Sequence, residues 1–148
     1  MVEQPQSDVE RRKEIVRESL DRLWNEGELS FVDEYATDDL AFHDLSRSVE
    51  LRGSDAFRAY VRERRTAFPD FEITEEDILC EGDSVALRWT WRGTHENELM
   101  GIEPTGATVE GTGMTMIRFD DGAAKEQWNI TAVLNTMQQL GVVDPPDD

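Results

Sequence analysis

Along this chain the spacing of apolar residues changes character at Pro69. Before it, apolar side chains recur at intervals of three and four, which places them on one face of a helix. Val9, Val16, Leu20, Leu23 and Trp24 define a first helix. Ser7-Asp8-Val9-Glu10 reads as its capping box, with the Ser7 hydroxyl accepting from the Glu10 amide, and Gly27 stops it. A short helical turn follows around Phe31 to Tyr35, then a short strand from Asp39 to His43. A second long helix opens at Gly53-Ser54 and carries Phe57, Tyr60, Val61 and Phe68 on its buried side. Pro69, which cannot continue a helix, ends it.

Beyond Pro69 the period becomes two, the signature of half-buried strands. Phe71, Ile73 and Ile78 to Cys80 mark one strand, and Glu81-Gly82-Asp83 a turn. Val85, Leu87, Trp89 and Trp91 alternate with Ala86, Arg88, Thr90 and Arg92 in the next. Glu103-Pro104-Thr105-Gly106 marks a second turn. A long strand from Thr108 to Asp120 is closed by the hairpin signal Asp121-Gly122, and Ala124 to Thr131 is the last strand. Val133 to Leu140 forms a terminal helix with Gly141 just past its end. Consecutive strands joined by hairpin turns predict an α+β fold, with an antiparallel sheet whose concave face is covered by the helices. Where that cover is partial, a pocket is left between helix and sheet.

Composition narrows the partners. The 148 residues form a single domain, with frayed tails at 1–6 and 142–148. The formal net charge of −18 argues against nucleic acid and against an anionic membrane surface, both of which need a basic patch. Lys13 and Lys125 are the only lysines, and arginine supplies the other cations. Dense carboxylates with few lysines look like a protein from a high-salt cytoplasm, where ions screen the mutual repulsion; an ordinary acidic bacterial protein is the alternative. Cys80, the only cysteine, suits a reducing cytoplasm. The N-terminal residues do not read as a signal peptide, and no apolar run approaches membrane-spanning length.

Phe42-His43-Asp44, Phe68-Pro69-Asp70, Glu81-Gly82-Asp83, Gly93-Thr94-His95, Met100-Gly101-Ile102 with Pro104-Thr105-Gly106, Glu126 with Trp128, and Gln139-Leu140-Gly141 occur in that order. In these pieces the chain resembles the SnoaL-like polyketide cyclases, also called predicted ester cyclases, of the nuclear-transport-factor-like (cystatin-like) fold. The resemblance implies a cone-shaped α+β barrel with an internal pocket for a small apolar carbonyl compound, assembled as a homo-oligomer, a dimer or a tetramer. It also implies intramolecular aldol condensation of an ester-bearing polyketide, without a metal or organic cofactor. The family's acid/base is an aspartate four residues beyond the tryptophan. Counting from Trp128 reaches Ala132, so this chain has no carboxylate there.

Aldol closure needs a base to take a proton from carbon and an acid to protonate the oxygen formed. Three groups are candidates in place of residue 132. The resemblance makes His95 a pocket residue; by itself it reads as a strand-end His bonded to a loop. His43 and Asp44 are adjacent on a strand and point to opposite faces. His43 is taken as the pocket-facing member and Asp44 as a turn or capping group. Alternation puts Glu126, Trp128 and Ile130 on the side that Ala132 would share, with Glu126 either a pocket acid or the ionised partner of an arginine such as Arg88 or Arg118.

Trp128 packs a flat ligand or fills the core. Trp89, Trp91, Met114 and Met116 lie on strands of which one parity faces inward, and Met100, in a Gly-rich loop, folds over the entrance or anchors that loop. The substrate-binding set is thus Trp128, Ala132, Ile130, Met114, Trp89 and Met100. Arg47, Arg52 and Arg58 either attract an anionic substrate or form surface ion pairs. Two distant histidines without clustered carboxylates make no metal site. Three functions stay open: a cofactor-independent cyclase, isomerase or hydrolase; a pocket protein that binds a small ligand without turning it over; and an oligomeric scaffold that pairs through the outer sheet face.

Overall fold

A computed structural model describes residues 5–144. Helix α1 runs over Pro5–Glu18 and continues as a wider π-type turn over Ser19–Asn25. It starts ahead of the expected cap, and the Ser7 side chain lies outside the described residues, as do 1–4 and 145–148 of the expected tails. Gly27, at φ 74°, ends the run. The Arg65 guanidinium then donates to the Trp24 and Asn25 carbonyls, satisfying acceptors that a helix end leaves open. A single 3₁₀ turn (Leu29–Phe31) leads into the short α2 (Val32–Tyr35) and strand β1 (Ala36–Asp44).

Strand β2 (Val49–Arg52), helix α3 (Ser54–Ala67), strands β3 (Glu72–Glu81), β4 (Ser84–Thr94), β5 (Thr108–Asp120) and β6 (Ala123–Thr131), and helix α4 (Val133–Leu140) complete the chain. The strands form one six-stranded sheet in the order β2-β1-β6-β5-β4-β3. All neighbours are antiparallel except β1 and β6, which run parallel. The expected purely antiparallel sheet is therefore mixed. The return to β6 comes only after the whole β3–β5 meander, so no hairpin constrains its direction beside β1. β2 escaped the pattern because four residues alternating between exposed and half-buried carry almost no apolar signal.

One face of the sheet carries the core. On β4, Val85, Leu87, Trp89 and Trp91 are buried, as the alternation predicts, and they meet helix residues such as Leu20, Leu23, Phe57 and Val61 in one apolar cluster. Burial of each such side chain contributes about 1.5–3 kcal/mol.

Two glycines shape this face. Gly111 and Gly113 on β5 pair with Trp91 and Trp89 across the sheet. A Cβ at Gly113 would sit 2.4 Å from the Trp89 ring, and one at Gly111 would sit as close to Trp91 Nε1. The indoles lie flat on the strand because nothing projects from it there.

Candidate functional site

The concave face of the sheet, α1 with its π-type extension, α3 and α4 enclose a cavity of about 110 Å³. Its body is apolar, with Leu20, Phe68, Phe71, Trp89 and Trp91 among the walls. Its polar groups concentrate where β1, β6 and α3 meet.

Asp44 is the acid of this cavity. It ends β1, is only 3% exposed and lines the wall. Its Oδ2 accepts from the Tyr60 hydroxyl at 3.0 Å, and its Oδ1 accepts from the Ser46 amide at 3.1 Å. A guanidinium nitrogen of Arg64 lies 3.8 Å from Oδ2, and the same guanidinium stacks over the Tyr60 ring at 4.0 Å. Burial pushes the Tyr60 phenol up, so its hydroxyl keeps the proton it donates.

Beside it, Asn129 of β6 occupies the position paired with Asp44 across the parallel strands. Its orientation follows from a chain of hydrogen bonds. The Trp89 indole N–H can only donate, and it donates to Thr115 Oγ1 at 2.9 Å. The Thr115 hydroxyl therefore passes its own hydrogen on, to Asn129 Oδ1 at 2.9 Å. Gln127 Nε2 donates to the same oxygen at 3.2 Å, and Gln127 Oε1 accepts from the Tyr35 hydroxyl at 2.6 Å. Both bonds use the Asn129 oxygen, which leaves its NH₂ group free on the cavity wall among the described residues. A buried carboxylate thus stands next to a fixed hydrogen-bond donor in an apolar hollow. That arrangement can remove a proton from carbon and stabilise the oxyanion that results.

The residues expected from sequence divide into three groups. Trp89 and Met100 line the cavity. His95 is fully buried but does not line it. Its backbone bonds Ala107 and Gly106, and its Nδ1 accepts from the Thr105 amide at 3.1 Å, so it organises the 95–107 loop. Because Nδ1 is an acceptor, the neutral ring carries its proton on Nε2, which has no partner among the described residues.

The third group lies on the outer face of the sheet. His43 Nε2 meets Glu126 Oε2 at 2.8 Å, and its ring stacks on Trp128 with centroids 5.5 Å apart. Arg118 lies over the other ring of that stack, 5.3 Å from the Trp128 centroid. Met114 and Ile130 are paired on this face and are 55% and 50% exposed.

The expected parity of β6 is thus reversed. That parity assumes that the strand continues to residue 132, but it ends at Thr131, and Ala132 is an exposed residue at the N-cap of α4. Thr131 and Val133 line the cavity, whereas Ala132 does not. The inward residues of β6 are the polar Gln127 and Asn129, which resemble solvent-facing strand positions in sequence. On β1 the assignment of His43 and Asp44 is likewise exchanged. The signal for Asp44 was present: it shares parity with Leu40 and Phe42, both buried. Among the described residues no three His, Cys, Asp or Glu side chains converge as a metal-ligand set.

Residues 14–140 match the SnoaL-like polyketide cyclase family. The chain is similar to the aklanonic acid methyl ester cyclases DnrD of Streptomyces peucetius and DauD of Streptomyces sp. (strain C5). It is 33% identical to each over 99 residues, which is 66% of this chain, 68% of DnrD and 61% of DauD. The alignment therefore spans less than two thirds of DauD. AclR from Streptomyces galilaeus, a proposed hydroxylase, has a similar structure, with a TM-score of 0.83 and 28% identity over 95% of this chain and 87% of AclR. A proposed SnoaL-like polyketide cyclase from Jannaschia sp. CCS1 superposes over 99% of both chains with a TM-score of 0.86, and at 22% identity it shows the fold. With its matching span, its helices packed on a curved mixed sheet and its relatives, the chain belongs to the SnoaL-like polyketide cyclase family.

Proposed function

We propose that this chain catalyses a cyclase-type carbon–carbon bond closure on a small apolar carbonyl compound, with Asp44 as the acid/base. Asp44 takes a proton from a carbon between two carbonyls, and the enolate oxygen is held by the Asn129 N–H. The enolate carbon attacks a second carbonyl of the same molecule, and the new alkoxide takes the proton back from Asp44. Atoms and charge balance within the chain's own side chains and the substrate. The similarity to two ester cyclases supports this class of reaction, and a relative proposed to be a hydroxylase makes the fold alone an insufficient guide. The observation that carries the reading is the buried Asp44 carboxylate in cross-strand register with Asn129.

The test is ring closure, or loss of the α-proton to deuterated solvent, with an aryl β-dicarbonyl ester. Asp44→Asn should lower the rate by about a hundredfold to ten-thousandfold. His95→Ala, His43→Ala and Glu126→Gln report on the three other candidate proton carriers. A wild-type rate in Asp44→Asn, or an equal loss only in His95→Ala, removes Asp44 from this role.

A second reading is a non-catalytic binding protein, favoured by the fact that both Asp44 oxygens already have protein donors. It predicts a raised melting temperature with ligand and no exchange. Either reading accommodates a homo-oligomer, for which Met114, Met116 and Ile130 form an exposed apolar patch on the outer sheet face.

A further inference from the structure

In a chain of net charge −18, the polar end of the cavity runs against the trend. Among the described residues, one carboxylate, Asp44, and two guanidiniums, Arg47 and Arg64, line it. Arg64 is held in place: it stacks on Tyr60 at 4.0 Å, lies 3.8 Å from Asp44 and meets the half-exposed Glu63 outside the cavity wall at 3.3 Å. Arg47 is different. Its backbone N–H donates to the Asp44 carbonyl at 3.4 Å, which anchors the turn between β1 and β2, yet its guanidinium makes no ion pair among the described residues. Arginines elsewhere divide: Arg58 holds both Asp33 and Asp55 and Arg22 holds Glu28 and Glu34, whereas Arg88, Arg92 and Arg118 on the strands, like Arg47, make no ion pair among the described residues. Of the arginines without an ion pair among the described residues, Arg47 is the one that lines the cavity, so its charge is available to a bound molecule there.

We infer that the cavity takes a substrate with an apolar body and a free carboxylate, and that the carboxylate pairs with Arg47 at the Asp44 end. Asp44 offsets one of the two guanidiniums, so a single positive charge is left for the ligand, which matches a monoanion and not a phosphate dianion. A guanidinium fork also fits the two oxygens of a carboxylate. The charge has a second consequence. The rest of the molecule repels anions, so a local positive end is what lets an acidic compound enter. The inference rests on reading this cavity as a substrate pocket, and it names a substrate class that differs from the methyl esters of the similar cyclases.

Calorimetric titration with 3-phenylpropionate and with its methyl ester tests it without requiring turnover. The wild-type protein should bind the carboxylate about tenfold more tightly than the ester, in line with a charge-assisted hydrogen bond. Arg47→Gln should bring the two to about parity, and Arg118→Gln on the outer face should keep the preference. Ester binding equal to or tighter than that of the acid overturns the anion assignment and leaves the pocket standing. So does a preference that survives Arg47→Gln. Binding of neither compound removes both the anion and the pocket.

Discussion

At the scale of single residues, the site depends on which groups hold Asp44. The Tyr60 hydroxyl is one of two donors to a carboxylate that is almost fully buried. Tyr60→Phe should cost about 1.5–3 kcal/mol in a urea melt, the range for a hydrogen bond to a charged group. A loss near zero would show that water replaces the phenol. Asp70 illustrates a different role. The Thr94 amide donates to it at 2.7 Å and the Thr94 hydroxyl at 2.8 Å, and these bonds hold its carboxyl below the usual carboxylate range. A depressed folded-state value stabilises the fold above the ordinary carboxylate pKa, and that contribution is lost as pH falls through the depressed value. Asp70→Ala should therefore melt earlier than wild type at pH 7. The two should converge in acid; a gap that persists there would contradict this linkage. The side chain is exposed, so the effect is small.

At the scale of elements, the cavity wall depends on β5 presenting no side chain beneath Trp89. Gly113→Ala would place a methyl against that indole and within 2.7 Å of the Ile130 carbonyl. Since one obstacle is backbone, relaxation is limited, and we expect about 1–3 kcal/mol of destabilisation with a changed near-UV circular dichroism signal. Unchanged spectra and stability would mean that the indole is free to tilt. The glycines were visible in sequence as Gly-Thr-Gly, and the indoles as Trp-Thr-Trp, but their pairing was not, because register across β4 and β5 is a property of the sheet. The polar row on β6 was misassigned for a related reason. Gln127 and Asn129 alternate with Trp128, and hydropathy alone sends the tryptophan inward; the Trp89–Thr115–Asn129 bonds that make the polar parity affordable inside exist only once three strands are assembled.

At the scale of the molecule, charge and the outer sheet face set the behaviour. Carboxylates on so acidic a surface repel in dilute buffer, so the melting temperature should rise between low and molar salt; a flat response would remove the high-salt reading. The outer face carries exposed Met114, Met116 and Ile130 beside the His43–Glu126–Trp128 cluster. If a second copy covers it, Met116→Glu should yield a smaller particle by light scattering. An unchanged mass would place any interface elsewhere. Among the described residues no helix is long and apolar enough to cross a membrane.

Spacing, local backbone preference and shared short motifs were enough for the order of every element but β2, for the hairpin turns after β3 and β5, for the apolar side of β4 and for the family. The sequence also contained the parity argument for Asp44, through Leu40 and Phe42. Assembly of the sheet alone sets β1 and β6 parallel, brings Asp44 and Asn129 together across them, and leaves Ala132 outside the cavity. Those outcomes join residues 85 positions apart in the chain, and no local pattern encodes which face of one strand meets which face of another until the sheet has closed around its core.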